Sequence, residues 1–231
     1  MGKTSENRKS KDNLDKPTRK IANPELRLWG THGLDAVYFQ REAQVNFWTV
    51  LGGLAMGALL TQLSPLLQEL QKNRWYLILY LLTSIQIIAI SWVQTSWGSL
   101  VLKWTISVPT TLSMLFQMLF QSIQCLQITN PSGWLAATAG IIFFSLFNQV
   151  YFEKSGAWKV FSPESIKRIK FNNVMYIFFL FFCLAGAFQL YRYPSQIAEM
   201  FWGFIGFFLS IMALYMTTKG MQQEKRELGI P

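Results

Sequence analysis

The chain has 231 residues, of which 51% are hydrophobic, 16% aromatic and only 14% charged, and it carries a net charge of +9. Soluble domains hold about 25% charged residues, so the composition excludes an ordinary soluble protein and points to a lipid environment. With one histidine, His32, no acidic pair and no Gly-rich phosphate loop, it also lacks the parts of a haem protein, an intramembrane hydrolase or a nucleotide enzyme.

Residues 1–34 read as a basic cytoplasmic tail. Seven Lys or Arg fall in the first 20 positions, with almost no apolar side chain to bury, so this part is expected to be disordered and drawn to anionic lipid. No short apolar segment with a small-residue cleavage site follows it, which argues against a signal peptide. Asp35 is a reasonable N-cap, and no Gly or Pro interrupts the chain from Ala36 to Leu51. One helix is therefore expected to start in the cytosol and continue into the membrane.

A helix needs about 20 apolar residues to cross the hydrocarbon layer. Six such spans are predicted, at 45–69, 75–95, 104–128, 134–152, 173–191 and 200–218. The 54 residues from Trp75 to Ile128 carry a single charge, Lys103, which suits two crossings better than one. In the first span Gly53 and Gly57 form a row of small residues that lets a second helix approach closely, and Gly203 and Gly206 repeat the device in the sixth.

The third span concentrates uncharged polarity. Thr110, Ser113, Gln117, Gln121 and Gln124 follow a 3-4-4-3 spacing and so share one narrow helix face. Amides in hydrocarbon are costly when unpaired, so this face must meet other helices or water. Two readings follow: an interhelical hydrogen-bond ladder, or a wetted path lined by amides and hydroxyls.

Between the fourth and fifth spans, Ser162-Pro163-Glu164-Ser165 has the order of a helix start. Lys159, Lys167, Arg168 and Lys170 in this region are candidates for contact with anionic lipid or a cytoplasmic partner. Residues 219–231 form a short C-terminal tail. Six spans with both ends cytoplasmic place 18 Lys or Arg inside and 3 outside, as the positive-inside rule requires. Trp75, Trp92, Trp97, Trp104, Trp134, Tyr191 and Tyr193 sit at span borders, as interfacial anchors do.

No Asp, Glu, Lys, Arg or His occupies the interior of any span, which lowers the weight of proton relays, voltage sensors and ion-coupled transporters. Cys125 and Cys183 fall inside spans and read as reduced thiols rather than as a disulfide or metal pair. The span count is similar to that of vitamin-importer binding subunits and of six-span potassium channels without a pore loop. The Ala-x-x-x-Ala row of the former and the Phe-Ser-Asp of the latter are absent from the first span, and no family is assigned.

The expectation is an all-α membrane protein with six transmembrane helices: a homo-oligomeric channel for ions or small solutes in a plasma membrane of prokaryotic inner-membrane type. No enzyme activity, cofactor, metal or nucleic-acid partner is expected. The alternatives are a non-transporting anchor or sensor that docks a cytoplasmic protein, and the solute-binding subunit of a larger transporter.

Overall fold

The computed structural model describes residues 30–100, 108–154 and 163–228. The chain separates into two units, Met1–Gln40 and Arg41–Pro231. Of the first, residues 30–40 are helical; all packing and sites described here belong to the second. Lys159 and most of the N-terminal tail lie outside the described residues.

Seven helices are found among the described residues, and no strand. Helix α1, Gly30–Thr61, begins ahead of Asp35 and is followed by the shorter α2, Leu63–Gln71. Pro65 explains the interruption at Gln62: it has no N–H to donate to the carbonyl of Thr61, four residues earlier. Gln62 instead donates to Leu59 and accepts from Leu66, at 3.0 and 2.9 Å. A tight turn then reverses the chain through Asn73, whose φ of 64° is a left-handed conformation that asparagine tolerates.

The remaining helices are α3, Leu77–Leu100, α4, Val108–Leu126, α5, Pro131–Lys154, α6, Pro163–Arg192, and α7, Gln196–Leu228. Pro109, Pro131 and Pro163 all lie in the first turn of their helices, where the missing N–H costs nothing. Glu164 adds an acidic group at the positive end of α6. Asn130 Oδ1 accepts from the N–H of Gly133 before α5, and Ser195 Oγ accepts from that of Ala198 before α7, satisfying donors that no helical turn can reach.

Among the described residues, five segments are long and apolar enough to cross a membrane: Val45–Gln71, Leu77–Trp97, Pro131–Tyr151, Pro163–Arg192 and Gln196–Arg226. The chain is thus an all-helical, multi-pass membrane protein, and its large exposed side chains, such as Phe181, Phe188 and Phe208, face a solvent that is itself apolar. Helix α4 is not among the five. Its three glutamines lower its hydropathy below that of its neighbours, and residues 101–107 before it are not described.

Helices α4, α5 and α6 pack side by side in alternating direction. Helix α3 instead runs parallel to α7 along its whole length. Tyr80 bonds to Glu199, Gln86 to Ser210, Gln94 to Thr217 and Trp97 to Glu224, so both numbers rise together. The main core draws on every helix, with Leu59, Leu66, Tyr80, Cys125, Trp134, Cys183 and Trp202 nearly or fully buried. A second cluster of Trp48, Met114 and Met118 holds α1 to α4. The short turns at 72–76, 127–130 and 193–195 lie at one end of the bundle, the turn end; the C-terminal ends of α3, α5 and α7 lie at the other, the loop end.

Candidate functional site

The polar face of α4 is turned into the bundle. Thr110, Ser113, Gln121 and Gln124 are buried, Gln117 is half-buried, and Leu112, Leu115, Phe116 and Leu119 face outward. Two of these groups have partners on α5. Ser113 Oγ donates to the carbonyl of Phe144 at 3.1 Å, and Gln124 Nε2 donates to Thr138 Oγ1 at 2.8 Å. Thr138 in turn donates to the carbonyl of Trp134 at 2.8 Å.

Some amide atoms of the seam are unpaired. Both amide atoms of Gln121 are buried without a protein partner, although the side chain has no exposure at all. Gln124 Oε1, Asn148 Oδ1, Gln149 Oε1 and Asn173 Oδ1 are in the same condition, as is the Trp48 indole Nε1 beside Met114 and Met118. Native interiors rarely leave such groups unsatisfied, and each one calls for water, an ion or a ligand.

The orphaned groups are distributed along the bundle. Gln124 and Gln121 lie toward the turn end and Trp48 near the middle. Asn148 and Gln149 sit near the loop end of α5, and the register set by the Lys170–Glu153 pair at 3.2 Å brings Asn173 of α6 to their level. The set comprises five oxygens and two N–H donors, a row of acceptors without a formal charge.

Among the described residues of the bundle, charged side chains are confined to the two ends. At the turn end Arg74 is the centre of a network that links α2, α3 and α7. Its guanidinium donates to Glu69 and Glu199 at 2.7 Å each, and to the Tyr76 hydroxyl at 3.0 Å. Tyr76 donates to Glu199 at 2.5 Å. Burial opposes the charge on Arg74, but these bonds outweigh it and hold the guanidinium protonated. Burial, followed by the bond to Glu199, raises the Tyr76 phenol above its ordinary range. In sequence these residues are only unremarkable ends of three apolar runs; their opposite charges were the available signal.

At the loop end Arg168 donates to Gln223 and reaches Glu224 at 3.4 Å, while Trp97 Nε1 donates to the same carboxylate at 2.8 Å. Arg168 and Lys170 are thus engaged within the chain, and Lys167 remains exposed.

The glycine rows have different surroundings. A Cβ on Gly203 would stand 2.9 Å from the Tyr80 ring and one on Gly206 3.4 Å from Trp134, so the α7 row is a packing surface. Gly53 and Gly57 meet nothing within 4 Å and face outward. Among the described residues no cluster of His, Cys, Asp or Glu could hold a metal, and both cysteines are free and buried. Compared with protein-family models, curated proteins and solved structures, the chain matches none of them.

Proposed function

We propose that the chain crosses a plasma membrane six times, of prokaryotic inner-membrane type, with both termini cytoplasmic and the seam on α4 serving as a narrow polar path for ions or small solutes. Helices α1 and α2 form one crossing and α4 the third. The antiparallel course of α4 along α5 supports this count, as does the division of 18 Lys or Arg against 3 between the two sides. The turn end is then outside. Single cysteines at Asn130 and Ser195 should react with an impermeant thiol reagent added to intact cells, and one at Ser155 should not.

The observation that carries the path is Gln121, fully buried with neither amide atom paired. A row of uncharged acceptors can replace part of the hydration of a cation or of a donor-rich neutral solute without binding it too tightly to leave. The path lies inside the bundle of one subunit rather than between copies. The open face at Gly53 and Gly57 supports a homo-oligomer formed around these conduits. Potassium and urea flux into proteoliposomes tests the reading. Gln121→Leu should lower flux severalfold while the protein remains folded, and wild-type protein that passes nothing under varied voltage and lipid overturns the proposal.

The two complete bonds, Ser113 to Phe144 and Gln124 to Thr138, favour a second reading. In it the seam is an interhelical ladder and the chain is a non-transporting anchor that docks a cytoplasmic partner through its basic loop.

A further inference from the structure

Helices α6 and α7 are pinned to each other near both ends. Trp202 Nε1 donates to Gln189 Oε1 at 3.0 Å toward the turn end, and Arg168 holds Gln223 and Glu224 at the loop end. Elsewhere the two helices approach at few positions. The opening holds a cleft of ≈ 670 Å³ walled by Phe178 and Phe182 of α6 and by Ile197, Phe201, Phe204 and Phe208 of α7. Phe182 is braced between Phe178, stacked at 5.8 Å, and Trp202, edge-on at 4.8 Å, so this wall is firm.

Behind the cleft lies an apolar cavity of ≈ 110 Å³ among α3, α5, α6 and α7. Phe182, Ile205 and Leu209 line both spaces and form the partition between them. An apolar cavity of this kind stays dry and accepts apolar matter. Along α7 the cleft runs from Ile197 to Leu209, roughly 18 Å at 1.5 Å per residue, close to half of a hydrocarbon core of roughly 30 Å. Its depth therefore matches one leaflet.

A cation lies at the same end of the bundle as Ile197. Arg192 ends α6, just before the turn that leads into Ile197. Its guanidinium lies 5.9 Å from the centroid of the Phe188 ring and forms no ion pair among the described residues. Exposed Tyr191 and Tyr193 flank it, as aromatic residues do at headgroup depth.

We infer that the α6–α7 cleft is a binding site for one anionic phospholipid of the leaflet at the turn end, with an acyl chain against the phenylalanine wall, its tip toward the inner cavity, and the phosphate on Arg192. The site is separate from the α4 seam and does not depend on a transport role.

Wild-type chain in vesicles of phosphatidylglycerol bearing a photoreactive acyl chain should give adducts concentrated on Phe178, Phe182, Phe204 and Phe208. Adducts spread evenly over other exposed aromatic residues, such as Phe143, Phe147 and Phe171, overturn the proposal. Native mass spectrometry should show one phosphatidylglycerol retained per chain over phosphatidylethanolamine, with Arg192→Gln lowering that preference about tenfold. Ile205→Trp, which fills the partition, should release the lipid, whereas Leu54→Trp on the open face of α1 should not. Retention indifferent both to Arg192 and to Ile205 sinks the assignment.

Discussion

The interface of α3, α5 and α7 and the seam along α4 use the same chemistry to opposite ends. In the former, Trp134 Nε1 donates to Ser84 Oγ at 2.9 Å, Ser84 donates to the Tyr80 carbonyl at 2.9 Å, and the Tyr80 hydroxyl donates to the carbonyl of Glu199 at 2.6 Å. Tyr80 and Trp134 meet edge to face at 5.0 Å. In the seam, equally buried amides are left open. An apolar solvent permits polar groups when they are paired, and where it holds them unpaired something other than stability accounts for them.

The comparison is broken most severely at Trp134. Trp134→Ala removes the largest side chain shared by three helices and should cost about 3–5 kcal/mol in detergent unfolding, whereas a loss below that of ordinary surface changes would show that this core is not what holds the helices. Next come the glycines. A Cβ on Gly140 would stand 2.4 Å from the Phe120 ring and one on Gly186 2.8 Å from Trp202, so alanine at either should cost about 1–3 kcal/mol through overpacking. Gly53→Ala and Gly57→Ala should leave the unfolding of the single chain unchanged; leucine at those sites should alter only the oligomer seen by light scattering.

The seam itself sets a finer contrast. Gln124→Leu deprives Thr138 of its donor and should lower stability by about 1 kcal/mol, while Gln121→Leu removes an unpaired amide and should leave stability level or raise it by a similar amount. Equal losses at both positions would mean that Gln121 has a partner and the ladder is complete. The smallest effect is at Tyr76. A phenol raised in the fold contributes stability that is fully present below about pH 10 and lost as pH rises through its folded value. Unfolding followed between about pH 9 and 12 should therefore show a flatter alkaline decline in Tyr76→Phe than in the wild type.

Much of this was readable beforehand. The apolar runs located the helices, Pro163 and Glu164 marked the start of α6, and the spacing from Thr110 to Gln124 gave one polar face because helical periodicity is a local property. What faces that face is not local. Gly53 and Gly203 are alike in sequence, yet one has nothing within 4 Å of it and the other meets Tyr80. Arg74 and Glu199 are separated by 125 positions, and no pattern along the chain announces that their helices lie side by side.

The parallel pairing of α3 with α7 also has a consequence for biogenesis. The hairpins of α4, α5 and α6 join neighbours in sequence and can pack as they leave the ribosome. Helix α3 emerges early, but the residues that bind Tyr80, Gln86, Gln94 and Trp97 lie 119 to 127 positions later. Before α7 is made, Tyr80, Gln86, Gln94 and Trp97 lack these partners, and Arg74 has Glu69 but not Glu199. Helix α7 therefore completes pairs that α3 leaves open, and a chain cut before Gln196 would keep Gln86 and Gln94 without them.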